Sequence, residues 1–336
     1  MLTDPSVFDE GWVPADLPSR DGETGTLAAA VDPSRSGATP ALISGPPGTG
    51  KTATTRWVLN DLHTHTDTST VYVDAWTNHR PYQLYGELLM AFDQPALVQP
   101  QTPRTVLRQR IREHAPDSVV VVLDEADQLD ELDVIAHLNA MEGFGAVLIV
   151  NDQARFGQRL RRETSVDLET TIAYDAYTIE TLVNILRPRA REGLEPGGYR
   201  ESRLEELAQH ADGNARVAIQ GLRAAADHAR QEGHPAITPG NIEAGVAAAR
   251  NRIRRKTRSR LTRHERVVLE VVEDIGNARK GEIYTAYVER VGEEDARGKR
   301  RVGDYLSKLE SYNQIEAAGE KRGRVYHVRD EAVLAR

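Results

Sequence analysis

The chain contains the stretch Gly45-Pro46-Pro47-Gly48-Thr49-Gly50-Lys51-Thr52, which fits the pattern G-x-x-x-x-G-K-[ST]. An apolar strand is predicted directly before this stretch, at 41–44, and a helix directly after it, at 51–63. A strand, a loop and a helix in this order are the context in which the pattern marks a phosphate-binding loop. The stretch therefore predicts an α/β fold with a parallel sheet and a nucleotide site.

Backbone geometry and charge explain why a phosphate-binding loop needs these residue types. The glycines let successive N–H groups curve around phosphates, and the helix N-terminus adds partial positive charge. Lys51 is predicted to contact the β- and γ-phosphates, and the Thr52 hydroxyl is predicted to ligate Mg²⁺. The other predicted nucleotide-binding positions of the loop are Pro46, Pro47, Gly48, Thr49 and Gly50. The expected cofactors are ATP or ADP together with Mg²⁺.

A second part of the site is expected after two later strands. The apolar run 119–123 leads into Asp124-Glu125, so this pair stands at the carboxyl end of a buried strand, where ligands bind in open α/β sheets. Asp124 is predicted to hold the Mg²⁺ shell, and Glu125 to orient and deprotonate the attacking water. Asn151 ends the next strand and is expected to contact the γ-phosphate or that water. The alternatives are an acidic helix cap and a loop asparagine bonded to its own backbone.

The order of patterns along the chain predicts four regions. Strands alternate with helices in the region 1–177, which predicts a parallel sheet covered on both faces, after a turn-rich opening of about thirty residues. Only helical patterns occur at 178–249, which predicts a small all-helical domain. A basic linker at 250–262 follows. The region 263–330 has three helices and two short strands, the layout of a winged helix-turn-helix.

The composition excludes several classes of protein. The chain has no cysteine, which excludes a disulfide scaffold, a cysteine zinc site, an iron–sulfur cluster and a thiol nucleophile. Its longest apolar runs, 119–123 and 146–150, are much shorter than a membrane span. The first residues have neither a basic region nor an apolar core typical of a signal peptide. We expect a cytoplasmic protein without a membrane partner.

Charge is distributed unevenly along the chain. The formal net charge is −8, but residues 1–249 carry −15 and residues 250–336 carry +7. The run 250–263 contains eight basic residues and no acidic one, and it is either a helix that follows DNA or a solvated hinge. A basic end on an acidic chain indicates a polyanionic partner. Six lysines accompany 37 arginines, which fits either a high-salt cytoplasm or a GC-rich genome.

The third helix of the winged helix is expected to enter the major groove of duplex DNA, with the wing near the minor groove or the backbone. The predicted DNA-binding residues of this helix and the wing are Arg300, Arg301, Tyr305, Lys308, Arg322 and Arg324. Basic side chains at these ends would neutralise phosphates, and contacts to base edges would set sequence preference. The alternative is that the winged helix docks another protein.

Several motifs together resemble the AAA+ ATPases and, more closely, archaeal replication initiators of the origin-recognition / cell-division-control type. They are Leu-Asp-Glu-Ala-Asp-Gln-Leu at 123–129, Ile-Val-Asn-Asp at 149–152, Gly213-Asn214-Ala215-Arg216, and an N-terminal group with Val7-Phe8, Val13-Pro14 and Leu17-Pro18-Ser19-Arg20. The resemblance implies an AAA+ P-loop NTPase core, an all-helical lid and a C-terminal winged-helix domain.

The resemblance also assigns roles to individual residues. Asn151 corresponds to sensor 1 and Arg216 to sensor 2, whose contact with the γ-phosphate would make the lid angle depend on the nucleotide. Tyr177 leads into the lid and is expected to border the nucleotide. The trans-acting arginine finger is expected within 158–165, where Arg162 is favoured over Arg159 and Arg161. Where the family usually has a second basic residue after the sensor arginine, this chain has Val217.

The function that the resemblance implies is an ATP-dependent replication initiator. Such a protein binds origin double-stranded DNA, helps to recruit the replicative helicase, self-associates on DNA and stays with the nucleoid. Slow ATP hydrolysis would then act mainly as a switch. The segment 82–92 falls where such initiators insert a DNA-facing helix, although its apolar stripe also fits plain core. The alternatives are a clamp-loader-like AAA+ ATPase and a plasmid or proviral copy-number regulator.

Overall fold

The computed structural model describes residues 2–9, 11–12, 17–32, 39–94, 102–319 and 323–328. The chain divides into two compact units, unit 1 at 1–249 and unit 2 at 250–336. Val13 and Pro14 of the N-terminal motif and Arg322 of the predicted wing lie outside the described residues. None of the helices in the described ranges is long and apolar enough to span a bilayer.

Unit 1 is built on a five-stranded parallel sheet with the order β2-β3-β4-β1-β5. Its strands are β1 (Ala41–Ser44), β2 (Ser69–Asp74), β3 (Val119–Asp124), β4 (Phe144–Val150) and β5 (Thr170–Ala173). Because β1 pairs with β4 on one side and β5 on the other, the strand before the phosphate-binding loop is an interior strand of the sheet. The predicted parallel α/β core is confirmed.

Helices cover both faces of this sheet. They are α1 (Asp21–Ala30), α2 (Lys51–His65), α3 (Pro81–Ala91), α4 (Arg104–His114), α5 (Asp133–Asn139) and α6 (Gln153–Glu163). Val119, Val121 and Leu123 of β3 pack in one hydrophobic core, and Val120 and Val122 in the other. The unbroken apolar run of β3 therefore reflects a strand that is buried on both faces.

Helix α1 lies within the opening residues for which the sequence predicts only turns. Its sequence, DGETGTLAAA, contains two glycines, which are poor helix formers. Leu27 is the one buried residue of this helix, so there is no apolar period for a sequence pattern to detect. Packing of α1 against α2 and β5 outweighs its weak intrinsic preference.

Four further helices form the predicted lid: α7 (Ile179–Gly193), α8 (Glu201–His210), α9 (Ala215–Gln231) and α10 (Pro239–Arg260). Thr178 and Asn214 cap α7 and α9, because each side chain accepts a hydrogen bond from a backbone N–H three residues later. Helix α10 continues through the basic run to Arg260, so most of that run is helical rather than an extended hinge.

The N-terminal residues pack on the lid. Pro5–Phe8 form a short 3-10 helix in which Val7 and Phe8 are buried. A Cβ on Gly193 of α7 would lie 2.5 Å from the Phe8 ring, so only glycine allows this contact. Gln220 Nε2 donates to the Phe8 carbonyl at 2.7 Å, and Arg223 pairs with Asp9 at 2.8 Å. The segment 2–9 is thereby attached to both α7 and α9.

Unit 2 has the predicted winged-helix architecture. Its helices are α11 (Arg263–Ile275), α12 (Lys280–Val291) and α13 (Lys299–Ser311). Its strands are β6 (Ala278–Arg279), β7 (Ile315–Ala318) and β8 (Val325–Val328), which form an antiparallel sheet in the order β6-β8-β7. The strands β7 and β8 are the predicted wing hairpin. β6 adds a short edge that the sequence analysis did not include.

Candidate nucleotide-binding site and DNA-facing helix

The phosphate-binding loop joins β1 to α2, and its glycines have backbone conformations that other residues rarely adopt. Gly48 has a φ of +82° and Gly50, the residue before α2, a φ of +91°. A Cβ on Gly48 would collide with the Asn214 side chain, and one on Gly50 would collide with the Tyr177 hydroxyl. The glycine spacing thus serves both the curvature of the loop and its close contact with the lid.

Lys51 lies at the centre of this loop and is only 7% exposed. Its ammonium group donates to the carbonyls of Gly45 (2.6 Å) and Pro46 (2.9 Å) and to Asn151 Oδ1 (3.2 Å). Burial lowers the pKa of Lys51 to about 8; the charge of Asp124 opposes this shift, and that of Arg216 adds to it. The charges of three predicted site residues, Lys51, Asp124 and Arg216, therefore act on one another, and Asn151 contacts the first of them.

Asp124 receives two hydrogen bonds at one carboxylate oxygen. Thr52 Oγ1 donates to Asp124 Oδ2 at 3.0 Å, and the Tyr72 hydroxyl from β2 donates to the same atom. Burial raises the pKa of Tyr72 and keeps its phenol protonated as a donor, while the Arg56 guanidinium lies 4.9 Å from its ring centre. Tyr72 is a site residue that the sequence analysis missed, because the sequence does not reveal which strand lies beside β3.

These oxygen atoms fit the predicted Mg²⁺ ion. The Thr52 hydroxyl and the Asp124 carboxylate are hard donors within hydrogen-bonding distance of each other. In the described part of the chain, no group of three or more His, Cys, Asp or Glu side chains is arranged to hold a metal. A Mg²⁺ ion here would therefore be shared with phosphate oxygens and water, as is usual for this metal.

Glu125 has an unusual backbone conformation. Its φ of +58° lies in the left-handed region, although it is not a glycine, and it stands between β3 and the short 3-10 helix Ala126–Gln128. Such conformations carry strain and concentrate at functional sites. The sharp turn puts the carboxyl group immediately beyond the end of β3, next to Asp124.

The first turn of lid helix α9 contacts the phosphate-binding loop directly. Asn214 Nδ2 donates to the Pro47 carbonyl at 3.1 Å, and the Ala215 N–H donates to the Gly48 carbonyl at 2.9 Å. The Tyr177 N–H donates to the Gly213 carbonyl at 3.0 Å, which joins the strand-to-lid connection to the same turn. Arg216 follows at once and is exposed, and its charge acts on Lys51.

Arg20 of the N-terminal motif connects three parts of unit 1. It is 6% exposed, and its Nη2 donates to the carbonyls of Thr49 and Asp175, both at 2.9 Å. Its guanidinium lies 4.3 Å from the Tyr177 ring centre and 4.8 Å from that of Tyr174. The resemblance includes Arg20, but the predicted site residues do not, and no spacing rule links it to a loop 29 residues away.

The three arginines near the end of α6 differ in their surroundings. Arg159 donates to the backbone carbonyls of Asp127 (3.3 Å) and Asp130 (2.9 Å), which holds it within its own chain. Arg161 is exposed. Arg162 has a side chain that is 60% exposed and pairs with Glu163 at 3.0 Å. The surroundings of Arg159 make it the least suited of the three to reach another subunit.

The apolar stripe of α3 belongs to the core. Leu84, Tyr85, Leu88 and Leu89 are all fully buried and join the cluster that contains β3 and β4. Met90, by contrast, is 50% exposed. The plain-core interpretation therefore accounts for the stripe within 82–92.

Helix α13 exposes two of its four predicted DNA-binding residues and packs the other two against the rest of unit 2. Arg300 and Arg301 are exposed in its first turn, as a DNA contact requires. Tyr305 is only 8% exposed, and Lys308 Nζ lies 2.9 Å from the buried carboxylate of Glu265. These two residues therefore lie on the packed side of the helix, and their assignment as DNA contacts conflicts with the structure. Helical phase explains Tyr305, which lies about 140° around the helix from Arg300. Lys308 lies about 80° from Arg300, at the edge of the packed face, and its ammonium group is held by Glu265.

Arg324 lies at the start of β8, near the end of the wing hairpin. Its Nη2 donates to Glu310 Oε2 at 2.7 Å, and its guanidinium lies 5.6 Å from the Tyr326 ring centre. Its side chain is 42% exposed, so the group remains accessible beside this ion pair.

Comparisons with known proteins agree with this architecture. A model of the AAA domain matches residues 34–157, and a model of the Cdc6 AAA+ ATPase-type lid domain matches residues 183–247. The chain is 32% identical over 336 residues to ORC1-type DNA replication protein 9 of Halobacterium salinarum, covering 98% of this chain and 94% of the relative.

A second relative from the same organism, ORC1-type DNA replication protein 1, is 32% identical over 310 residues, covering 90% of this chain and 99% of the relative. Both come from a halophilic archaeon, as the high-salt interpretation of the composition predicts. Among solved structures, the Aeropyrum pernix ORC1 protein in complex with DNA matches with a TM-score of 0.75 and 25% identity, covering 98% of this chain and 94% of that one.

Proposed function

Because the chain belongs to the ORC1-type DNA replication proteins, a family that acts in the initiation of replication, we propose that it is an ATP-switched initiator that binds origin duplex DNA. The observation that carries this proposal is the direct contact between the first turn of α9 and the phosphate-binding loop. A conformational change of the loop would therefore move Asn214 and Ala215, and with them lid helix α9, because no other element lies between the loop and this helix.

Each residue of the site has a definite task in this proposal. ATP with Mg²⁺ supplies the transferable phosphoryl group and the charge that the site recognises. Lys51 would donate to the β- and γ-phosphates, and Thr52 and Asp124 would hold the metal. Glu125 would accept the proton of the attacking water, which Asn151 would help to orient.

Arg216 is the proposed link between nucleotide and lid. Its charge already acts on Lys51, so it lies close enough to sense a phosphate at that ammonium group. A contact to the γ-phosphate would pull α9 toward the loop, and loss of that phosphate would release it. Arg20 and Tyr177 transmit the same change to the N-terminal segment, and Tyr177 would border the nucleotide.

DNA binding is assigned to unit 2. The Aeropyrum pernix ORC1 protein was solved in complex with DNA, and this chain shares its fold along nearly its whole length. Arg300 and Arg301 are exposed at the start of α13, Arg324 is accessible at the wing, and this unit has a net positive charge. We propose that these arginines contact phosphates or base edges.

Partners at the origin complete the proposal. We infer that Arg162 is the trans-acting finger, since its exposed side chain can reach a neighbouring copy on DNA. Recruitment of the replicative helicase and association with the nucleoid follow from the family role. A clamp-loader-like function is disfavoured, because its C-terminal part would be a helical collar, whereas unit 2 has a three-stranded sheet. A plasmid or proviral regulator would use the same parts at a different DNA site.

The test of the nucleotide site is the Lys51→Ala variant. Two charge-assisted hydrogen bonds to phosphates contribute about 4 kcal/mol, so we expect ATP to bind roughly 1000-fold more weakly. Fluorescent ATP analogue titration measures this change. Binding to a 30-bp duplex of random sequence should persist, because unit 2 is unaltered. Because the substitution also removes three hydrogen bonds of the buried ammonium group, circular dichroism of the nucleotide-free variant checks that it remains folded.

The matched control is Lys256→Ala, which removes the same charge from an exposed position of α10 and should leave ATP affinity unchanged. Normal ATP binding by the Lys51→Ala variant would show that the nucleotide does not occupy this loop. Wild-type protein that binds no duplex even at low ionic strength would contradict the DNA-binding part.

A further inference from the structure

The segment that follows Glu125 closes into a tight turn. Glu125 has a φ of +58°, and its carbonyl accepts a hydrogen bond from the Gln128 N–H at 2.8 Å. A residue other than glycine is strained in this left-handed region, and such a conformation persists only where the surrounding structure holds it. Ala126 is fully buried and fixes one side of the turn. The position of the Glu125 carboxyl group therefore depends on what holds the residues after it.

Arg159 of α6 holds this segment through two backbone carbonyls. Its Nη1 donates to the Asp127 carbonyl at 3.3 Å, and its Nη2 donates to the Asp130 carbonyl at 2.9 Å. Its Nε donates to Glu163 Oε1 at 3.1 Å, one turn further along α6, and this bond orients the guanidinium plane. The side chain is 24% exposed. All three nitrogens of the guanidinium group thus bind within unit 1, and two of them hold the residues that follow Glu125.

The connection between β2 and α3 holds the far end of the same segment. The Asp130 N–H donates to the His79 carbonyl at 2.9 Å, and His79 Nδ1 lies 3.0 Å from Asp130 Oδ2. The Asp130 end keeps this support even without Arg159. Loss of Arg159 should therefore act mainly at Asp127, which is two residues after Glu125.

We propose that Arg159 is a positioning residue for Glu125, the general base of the proposed hydrolysis. This inference rests on the proposed function, because it takes Glu125 to be that base. The two hydrogen bonds to the Asp127 and Asp130 carbonyls keep the strained turn closed, and the Glu125 carboxyl group stays at the end of β3. Arg159 thereby acts within its own chain, unlike Arg162, which is proposed to reach a neighbouring copy.

The shape of the guanidinium group, and not its charge alone, suits Arg159 to this role. A guanidinium group donates from separate nitrogens in one rigid plane and can bind two carbonyls at once, whereas the lysine ammonium is a single point charge on a flexible stem. Arg155 lies one turn before Arg159 in α6 and is exposed. The substitutions Arg159→Lys and Arg155→Met therefore separate loss of the two hydrogen bonds from loss of a positive charge.

The first measurement is single-turnover hydrolysis of radiolabelled ATP, with full-length protein at concentrations that bind all of the ATP. Arg159→Met should lower the rate by about ten-fold or more, because a misplacement of about 1 Å can cost about a hundred-fold. ATP affinity, from titration with a fluorescent analogue, should stay the same, because the hydrogen bonds of Arg159 go to the segment after β3 and to Glu163. Arg159→Lys should lose most of the rate, and Arg155→Met should keep it.

The second measurement needs no nucleotide. Hydrogen–deuterium exchange followed by mass spectrometry reports on the backbone N–H groups of peptides that cover 126–131. In the nucleotide-free Arg159→Met variant these groups should exchange about ten-fold faster than in wild type, because the turn opens more readily without its two hydrogen bonds. Peptides from β1 and β4 should exchange as in wild type, which checks that the sheet is intact. The Arg155→Met control should match wild type throughout.

A mixture of two impaired variants separates a role within the chain from a role at a neighbouring copy. Arg159→Met is mixed with Glu125→Gln, and the hydrolysis rate is compared with the sum of the rates of the two variants measured separately. If Arg159 acted on a neighbouring copy, each variant would supply the group that the other lacks, and the mixture would exceed that sum. We expect no gain.

Four results would overturn the inference while the proposed function stands. They are an unchanged hydrolysis rate in Arg159→Met, an equal loss of rate in Arg155→Met, normal deuterium exchange at 126–131 in Arg159→Met, and a gain of rate in the mixture. Wild-type protein that binds ATP and does not hydrolyse it would instead overturn the role of Glu125 in the proposed function, and this inference with it.

Discussion

The basic side chains of the two predicted sites differ in burial: those of unit 1 are buried, and those of unit 2 are exposed. In unit 1, Lys51 and Arg20 are 7% and 6% exposed, and backbone carbonyls of the phosphate-binding loop receive their hydrogen bonds. In unit 2, Arg300 and Arg301 stand exposed at the start of a helix. In general, small ligands are bound by concave, pre-organised loops, whereas helix-turn-helix proteins present an exposed helix to a duplex, and the proposed function places this chain's two units in these two classes.

This difference determines what a sequence pattern can predict. In the loop, each position has one backbone role, so a match in spacing assigns each residue individually. On α13, the role of a side chain depends on the rotation of the helix about its axis, which composition does not fix. Tyr305 and Lys308 were predicted from residue type and lie on the packed side. The periodicity of Val302, Leu306 and Leu309 would have shown this.

The largest effect is expected from separate alanine substitutions of a buried and an exposed residue of α13, which test whether burial decides the role of a side chain on this helix. Tyr305→Ala should lower the free energy of unfolding of unit 2 by about 3 kcal/mol, because it leaves a cavity in the small core. Arg300→Ala should change it by less than about 0.5 kcal/mol while it weakens duplex binding.

Circular dichroism follows unfolding of both units, and tryptophan fluorescence follows unit 1 alone, since Trp12, Trp57 and Trp76 all lie there. We expect the Tyr305→Ala variant to lower the unfolding midpoint of unit 2 in circular dichroism. The unfolding midpoint of unit 1 in tryptophan fluorescence should stay the same. A stable Tyr305→Ala variant with weakened duplex binding would restore Tyr305 as a DNA contact.

Acid should affect unit 1 through His137, which lies on α5. The ring is 7% exposed, lies edge-on to Tyr85 at 5.6 Å, and has no hydrogen-bond partner among the described residues. Burial, and then the charges of Arg108 and Arg112, lower its pKa from 6.5 to about 4. The unfolded chain therefore binds the proton more readily, and stability is lost as pH falls below 6.5.

Between pH 7 and pH 5 this histidine should reduce the free energy of unfolding of unit 1 by about 2 kcal/mol. Urea titrations followed by tryptophan fluorescence at both pH values measure the loss. A His137→Phe variant keeps an aromatic ring beside Tyr85 and should lose about 2 kcal/mol less over the same interval. Equal acid sensitivity in wild type and variant would mean that His137 takes up its proton as readily in the folded protein as in the unfolded chain.

The smallest effect is expected at the metal end of the site. Tyr72→Phe removes a hydrogen bond to Asp124 but keeps the ring, so the carboxylate is less firmly oriented. Loss of such an outer hydrogen bond weakens metal binding about ten-fold. The Mg²⁺ concentration that half-saturates binding of a fluorescent ATP analogue should rise accordingly, while affinity without Mg²⁺ stays the same.

Tyr199→Phe, in the lid, is the control for loss of a phenol group and should bind Mg²⁺ normally. An unchanged Mg²⁺ requirement in the Tyr72→Phe variant would assign the Tyr72 hydroxyl to packing of the sheet edge.

Much of the fold and part of the site were predictable for physical reasons. A strand buried on both faces requires an unbroken apolar run, and a tight loop next to a helix requires glycines, so β3 and the loop were evident. The roles of Tyr72 and Arg20 were not predictable, because they depend on which elements pack side by side. The Tyr72 hydroxyl reaches Asp124 from the neighbouring strand β2, and only the tertiary arrangement brings the two residues together.

Attachment of residues 2–9 to the lid has a consequence for the range of lid movement. Asp9 is paired with Arg223 on α9, whereas Arg20 is bonded to the phosphate-binding loop at Thr49. Ten residues lie between these anchors, and the eleven Cα-to-Cα steps that join them span at most about 40 Å when fully extended. The number of residues between the anchors therefore sets an upper limit: while both contacts hold, Asp9 and Arg20 cannot move farther apart than about 40 Å, and lid movement is limited accordingly.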